Sequence, residues 1–329
     1  MSRSISGAVA MLALIAATPA LAADYQELRP SYPENWETTT DNQLRFEAGV
    51  RYWYSWGAQN ARFAPTELTV RDNTHILEVH GRIDDLSTQT YVKALGGLGV
   101  KTSGTYTLTP GSETSIGDSS RVGYLGGDFG WMPFGNMSDG VAVGGLVGYQ
   151  YWNDSPDIGR GDFVTAIGPD GVPTGGDSAV DNLDVHALRL GLRGTAEVSD
   201  MFDVQAEVAA VPYAWVTGTL GPHELEGVPV GGNTLLYKSS PTSLAGTGYG
   251  AMGEVMVGFH PTENLTVRFG GRAWYLEGAL DATFDSYLVT DADNDPATDP
   301  VITQQRFIQA SDFANIFRYG ALFELTGRF

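Results

Sequence analysis

From Leu44 onward, much of this chain sorts into two files when it is read at every second residue. Leu44, Phe46, Ala48, Val50, Tyr52, Tyr54 and Trp56 alternate with Arg45, Glu47, Gly49, Arg51, Trp53 and Ser55. A period of two belongs to a strand with unlike faces, whereas a helix repeats at about 3.6. The same alternation returns at Leu77–Asp84, Val92–Val100, Gly127–Trp131, Val141–Trp152, Leu188–Arg193, Val204–Val208, Tyr249–Phe259 and Val267–Tyr275. A tenth segment runs to the last residue, with Tyr319, Ala321, Phe323, Leu325, Gly327 and Phe329 set against Gly320, Leu322, Glu324, Thr326 and Arg328. Ten such segments predict an all-β chain.

The second file decides what kind of sheet this is. In a soluble sandwich the apolar face packs on another sheet and the polar face meets water. Here the polar file mixes both charge signs with many glycines, as suits a narrow enclosed lumen. Tyr and Trp fringe the apolar file at strand ends (Tyr52, Trp56, Trp131, Tyr149, Tyr151, Tyr275, Tyr319), the positions of an interfacial aromatic girdle. Strands can cross lipid only when closure satisfies every backbone group. The expected fold is therefore a transmembrane, antiparallel, up-and-down β-barrel of about ten strands over residues 42–329.

Connection lengths set its orientation. Short links fall at Asp84–Thr88, Pro133–Gly140, Ser199–Met201 and His260–Asn264. Long ones fall at Gly57–Asn73, Thr107–Gly117, Asp154–Asp181, Gly221–Ala245 and Asp281–Thr303. Outer-membrane barrels keep periplasmic turns short and outer loops long. Both chain ends are then periplasmic, and five outer loops are expected.

Residues 1–22 read as a secretory signal peptide: Arg3, an apolar Ala8–Ala17, then Pro19 and Ala20-Leu21-Ala22 before cleavage. Residues 23–41 carry two prolines, Pro30 and Pro33, and no alternation, a periplasmic lead-in. With no cysteine, disulfides and thiolate metal sites are excluded. A net charge of −20 speaks against nucleic acid, whose phosphates need Lys and Arg. No cofactor is implied. The expected partners are outer-membrane lipid, lipopolysaccharide around the rim, and the barrel assembly machinery during insertion, for which Phe329 resembles the terminal sorting signal. The sequence leaves oligomeric state open.

Parity also assigns the lumen charges. Arg45, Arg51, Arg82, Lys93, Arg189, Arg193, Arg268, Arg272 and Arg318 point inward with Glu47, Glu78, Asp84, Asp128, Glu197, Glu207, Glu254 and Glu324. The two sets nearly balance, so the acidic excess belongs to the loops. Ten strands make a barrel only slightly wider than the eight-stranded kind that side chains fill, and porin channels use about 16 or more. A plugged lumen is expected.

The ten-strand, five-loop layout resembles the omptin family of outer-membrane endopeptidases. The stretches that carry the likeness are Phe129-Gly-Trp-Met-Pro, Val147-Gly-Tyr-Gln-Tyr and Tyr213-Ala-Trp-Val. Arg51-Tyr-Trp-Tyr-Ser-Trp-Gly and Leu188-Arg-Leu-Gly-Leu are similar to phrases in uncharacterised omptin-like barrels of alphaproteobacteria. The resemblance implies a water-activating centre built from an Asp–Asp pair in the second outer loop and an Asp-x-His in the fourth, a general-base arrangement. This chain departs from it. The second loop, Thr105 to Glu113, has no paired aspartates. In the fourth, His223 stands where the family's histidine would, but Gly221 takes the aspartate's place. The reading favoured is omptin-like architecture without that catalysis, in a structural or surface-interaction role. Its rivals are a diverged hydrolase using His223 with Glu224 or Glu226, and a narrow channel. Asp291, Asp293, Asp295 and Asp299 have a calcium loop's carboxylate spacing, but Pro296 stands where the sharp turn wants glycine and no closing Glu follows. A solvated acidic loop tip is favoured there.

Overall fold

The computed structural model describes residues 43–329 apart from 110, 138–139, 222–226, 292–298 and 312. The signal peptide at 1–22 and the lead-in at 23–41 lie outside the described residues, which hold strands and no helix. In chain order the strands are β1 (Leu44–Phe63), β2 (Thr66–Asp85), β3 (Thr90–Thr109), β4 (Glu113–Ser115), β5 (Arg121–Gly135), β6 (Val141–Ser155), β7 (Arg160–Ile167) and β8 (Pro173–Val180). They continue as β9 (Asn182–Ser199), β10 (Phe202–Leu220), β11 (Val228–Gly231), β12 (Thr234–Lys238), β13 (Thr242–Thr262), β14 (Leu265–Thr290), β15 (Val301–Ala310) and β16 (Phe313–Arg328).

Ten of these form a ring of antiparallel neighbours, β1-β2-β3-β5-β6-β9-β10-β13-β14-β16. The last strand closes it: Phe323 stands opposite Tyr52 on β1 and opposite Phe269 on β14. Each of the ten alternating sequence segments lies on one ring strand. Their apolar files are exposed on the barrel exterior, as at Val79, Leu125, Val208 and Phe269. A soluble protein would bury such a surface; here it is the lipid-facing band. On β1 the band runs from Phe46 to Trp56, eleven residues, in line with the roughly 9–11 that a tilted spanning strand needs. Trp56 stacks on Tyr319 at 5.5 Å, and His186 packs beside Tyr151 and Trp215 in the same outer girdle.

The outer loops depart from expectation. Four of the five long connections are mostly strand, because the ring strands run on past the girdle. The link expected at 57–73 is a hairpin in which β1 and β2 stay paired up to Phe63 and Thr66. Residues 154–181 hold the β7–β8 hairpin, β11 and β12 extend the sheet along β14, and β15 pairs the upper half of β14. At 107–117 the addition is β4, three residues laid against β3, with irregular chain from Ile116 to Ser120 before β5. Above the girdle, water lies outside the wall, so the apolar file turns inward. On β2, Leu77, Val79 and Ile83 face lipid, but Leu68 and Val70 are buried inside while Thr69 and Arg71 point out. The interior thus has two halves, polar within the membrane and apolar beyond it.

Candidate functional site

Four tiers of side chains cross the lumen. Nearest the short turns, Asp84 accepts hydrogen bonds from Arg45 Nη2 (2.7 Å) and Arg82 Nε (2.5 Å). Glu207 gathers Arg189 (2.5 Å), Arg193 (3.1 Å) and Lys93 (3.3 Å), and Arg189 also donates to Asp128 at 2.7 Å. Arg82 lies over the Tyr91 ring at 4.2 Å. Glu47 pairs with Arg328 at the short-turn mouth of the barrel, 3.2 Å away.

The second tier is a continuous network. Arg51 bonds Glu324, Glu78 (3.0 Å) and Glu254 (3.4 Å). Arg272 bonds Glu78 and Glu254, each at 2.6 Å, and Arg268 reaches Glu324 at 2.7 Å. Every one of these groups is withdrawn from water, which is tolerable only where each charge is satisfied. The third tier is aromatic. Trp274 meets Trp53 edge-on at 4.9 Å and Trp152 at 5.3 Å, and the Arg272 guanidinium sits 5.1 Å from the Trp53 ring. In the fourth tier Arg318, fully buried, is held between Asp72 and Asp154 by bonds of 2.9 Å to each, with Ser55 at 3.0 Å.

Three carboxylates of this network escaped the sequence reading. Asp72 and Asp154 lie on strand extensions that read as loop. Asp203 bonds Arg268 (3.2 Å) and His260 (2.6 Å); it shares the file of Gln205 and Glu207, so one more step of the same alternation finds it. Glu197, assigned to the lumen by parity, is exposed at the short-turn rim, one residue beyond the last β6 partner of β9, Ala196. His80 is enclosed, with Thr326 Oγ1 3.3 Å from its Nε2. His186 faces outward, its Nδ1 2.6 Å from the Tyr149 hydroxyl. Asp85 occupies the β2–β3 turn, where it accepts from Ser87.

Above Arg318 the interior opens into a small vestibule walled by Leu68, Leu183, Val185, Val216, Leu244 and Ile316. Asp181 joins that wall. Its carboxylate accepts one long hydrogen bond, from the Gly221 N–H at 3.4 Å, and burial pushes its pKa up to about 7.

The expected chemistry on the outer loops is only partly visible. His223, Glu224 and Glu226 lie outside the described residues, as do Asp293 and Asp295; Asp291 and Asp299 are described and flank that segment. Among the described residues no three acidic or imidazole side chains gather to hold a metal. The second outer connection offers Glu113, exposed on β4, and no facing carboxylate pair.

No family model and no curated protein matches the chain. Its fold is similar to that of the outer-membrane protease OmpT from Escherichia coli, with a TM-score of 0.56 at 12% identity over 88% of this chain and 98% of that one. The translocator domain of the autotransporter NalP from Neisseria meningitidis aligns over 98% of both chains at 12% identity, but with a TM-score of 0.34. At such identity the OmpT likeness speaks for the fold alone. Together with the lipid-facing band it makes this chain an integral outer-membrane β-barrel of omptin-like architecture.

Proposed function

We propose that the chain is a non-conducting barrel that works as a rigid surface scaffold, holding structured outer hairpins for binding rather than cleaving peptides or passing solute. The observation that carries this reading is the four-tier closure of the lumen, in which Arg272 alone ties β2, β13 and β14 together through Glu78 and Glu254. A network of that kind resists the rearrangement a pore would require. Against peptidase chemistry stands the second outer connection, which brings no carboxylate pair to the rim.

Lipopolysaccharide is the surface partner this reading favours. Arg71, Lys101 and Arg121 are exposed on the consecutive strands β2, β3 and β5, beyond the lipid-facing band. Cations in that position suit the phosphates of an anionic headgroup. The acidic hairpins would meet the same layer through divalent ions.

The test is proteolysis. Folded protein supplemented with lipopolysaccharide should leave a broad peptide library uncut, and His223→Ala should behave identically. Cleavage that His223→Ala abolishes would replace this proposal with the diverged-hydrolase reading.

A further inference from the structure

The vestibule above Arg318 has a chemistry that the scaffold role does not use. It is a cavity of about 60 Å³ whose surface is largely aliphatic. Along one side of it Gly248 and Gly278 face each other on β13 and β14, where the strands approach so closely that a Cβ on Gly278 would lie 2.2 Å from the Thr247 carbonyl oxygen. Two acidic residues line it. Glu277 is occupied on the outer face of the wall, where the Tyr249 and Tyr275 hydroxyls each donate to it at 2.5 Å. Asp181 is different. It is 8% exposed, and among the described residues its carboxylate holds only the long contact to the Gly221 N–H and no cation acts on it.

We propose that this cavity is a binding site for a small primary alkylammonium, its cation against the Asp181 carboxylate and its alkyl chain against Leu183, Val185, Val216 and Ile316. Three observations choose that class. A buried carboxylate without a counter-ion is costly, and a cation arriving from outside removes the cost. The anionic groups nearest Asp181, Asp154 and Asp157, add negative potential, which turns away carboxylate and phosphate headgroups. Size sets the chain length: at about 10–15 Å³ of such space per water-sized group, the cavity takes roughly four to six non-hydrogen atoms, the size of butylamine.

The charged groups around Asp181 fix the pH dependence. Asp154 is already matched by Arg318, Asp157 by the Ser119 hydroxyl, and Glu277 by its two tyrosines. The Lys238 ammonium lies beside Gly161, 3.2 Å from where a Cβ there would sit. Asp181 is therefore the group that titrates against an incoming cation. Burial holds its pKa near 7, and an alkylammonium stays charged well above that. Binding then expels a proton, and affinity rises with pH through this range.

The experiment is calorimetric titration of the folded barrel, in zwitterionic detergent, with n-butylammonium chloride at pH 6 and pH 8. Expected is saturable one-to-one binding, about tenfold tighter at pH 8, because a group of pKa near 7 goes from roughly a tenth to nine-tenths ionised over that interval. Asp181→Asn, nearly isosteric, should weaken binding at pH 8 by at least about tenfold. Ala214→Leu, which fills the cavity from a fully buried position, should abolish it. No saturable heat with the wild type overturns the proposal, as does equal affinity in a folded Asp181→Asn barrel. Should either variant fail to fold, the wild type still decides, since affinity that does not change with pH excludes pairing with Asp181.

Discussion

Arg318 shows how a single residue organises this interior. Its guanidinium is fully buried and bonds two carboxylates from strands far apart in the ring, Asp72 on β2 and Asp154 on β6. The glycine opposite it is part of the same design: a Cβ on Gly57 would lie 2.1 Å from Asp72 Oδ1 and 2.6 Å from Arg318 Nη2. Removing the cation leaves two buried anions facing each other, so Arg318→Met should destabilise the barrel by about 3–5 kcal/mol, the usual cost of breaking a buried pair from one side. Urea unfolding in detergent micelles measures it, and a loss under about 1 kcal/mol would mean that water already reaches the triad. Asp181 behaves in the opposite way. Its pKa is raised from 3.8 to about 7 on folding, so between those values the folded chain keeps a proton the unfolded chain has lost. Stability therefore falls as pH rises from about 4 to 7. Asp181→Asn escapes this. It should match the wild type near pH 4 and exceed it at pH 8, by at most roughly 4 kcal/mol for three pKa units at about 1.36 kcal/mol each. Parallel unfolding curves at the two pH values test this; a gain that is the same at both would assign the effect to packing instead.

A ring strand changes partners along its length. Within the membrane β2 shows Leu77, Val79 and Ile83 to lipid, and beyond the girdle it buries Leu68 and Val70 instead. The side chains alternate throughout; what changes is which side of the wall is wet. Val79→Arg, near the middle of the band, should therefore cost about 2–4 kcal/mol. Thr69→Arg, outward on the same strand but above the girdle, should stay within about 0.5 kcal/mol. Folding into lipid vesicles at graded urea concentrations compares the two, and equal effects would misplace the outer edge of the band. The same change of phase explains what could be read from the chain. The lipid-facing segments were legible because apolar and polar residues alternate there without interruption, and the inward placement of Arg51, Arg189 and Arg272 followed from parity alone; their partners did not. The upper strands were not legible, because their outward residues are Thr, Asn and Arg, the composition of a loop. Asp72, Asp154 and the whole vestibule were lost with them. β10 adds a second obstacle, a register shift against both neighbours, between Val211 and Ala214 on the β13 side and between Ala210 and Tyr213 on the β9 side. Pro212, which has no N–H to give a ladder, sits in that bulge, and a strict alternation carried past it puts every later residue on the wrong face.

Across the molecule the ring closes by pairing β16 with both β1 and β14, so the lipid-facing wall has no free edge. Closure fixes a lumen whose width is set by ten strands, a little above the number that side chains alone can fill. The chain uses that extra width for arginines, each long enough to reach across to carboxylates on other strands, and then caps them with Trp53, Trp152 and Trp274. The tiers act in series, so a pathway has to breach all of them. Planar bilayers holding the folded wild type should consequently show no conductance steps above the bare membrane. Removing one tier should not change that: Trp53→Ala with Trp274→Ala opens the aromatic layer but leaves the Arg51–Glu78–Arg272–Glu254 network beneath it intact. Nor should conductance appear when that network is also weakened by adding Arg272→Ser and Glu78→Ser, because Arg51 still holds Glu254 and Glu324 and the Glu207–Arg189–Asp128 and Arg318–Asp72–Asp154 tiers still close the lumen on either side. Heat-modifiable migration on gels establishes that each variant is folded before it is scored. Steps in the wild type would show that the tiers part under voltage, and the scaffold reading would give way to a gated channel. Steps in the tryptophan double variant alone would make the aromatic layer the seal and reduce the charge network to a lining.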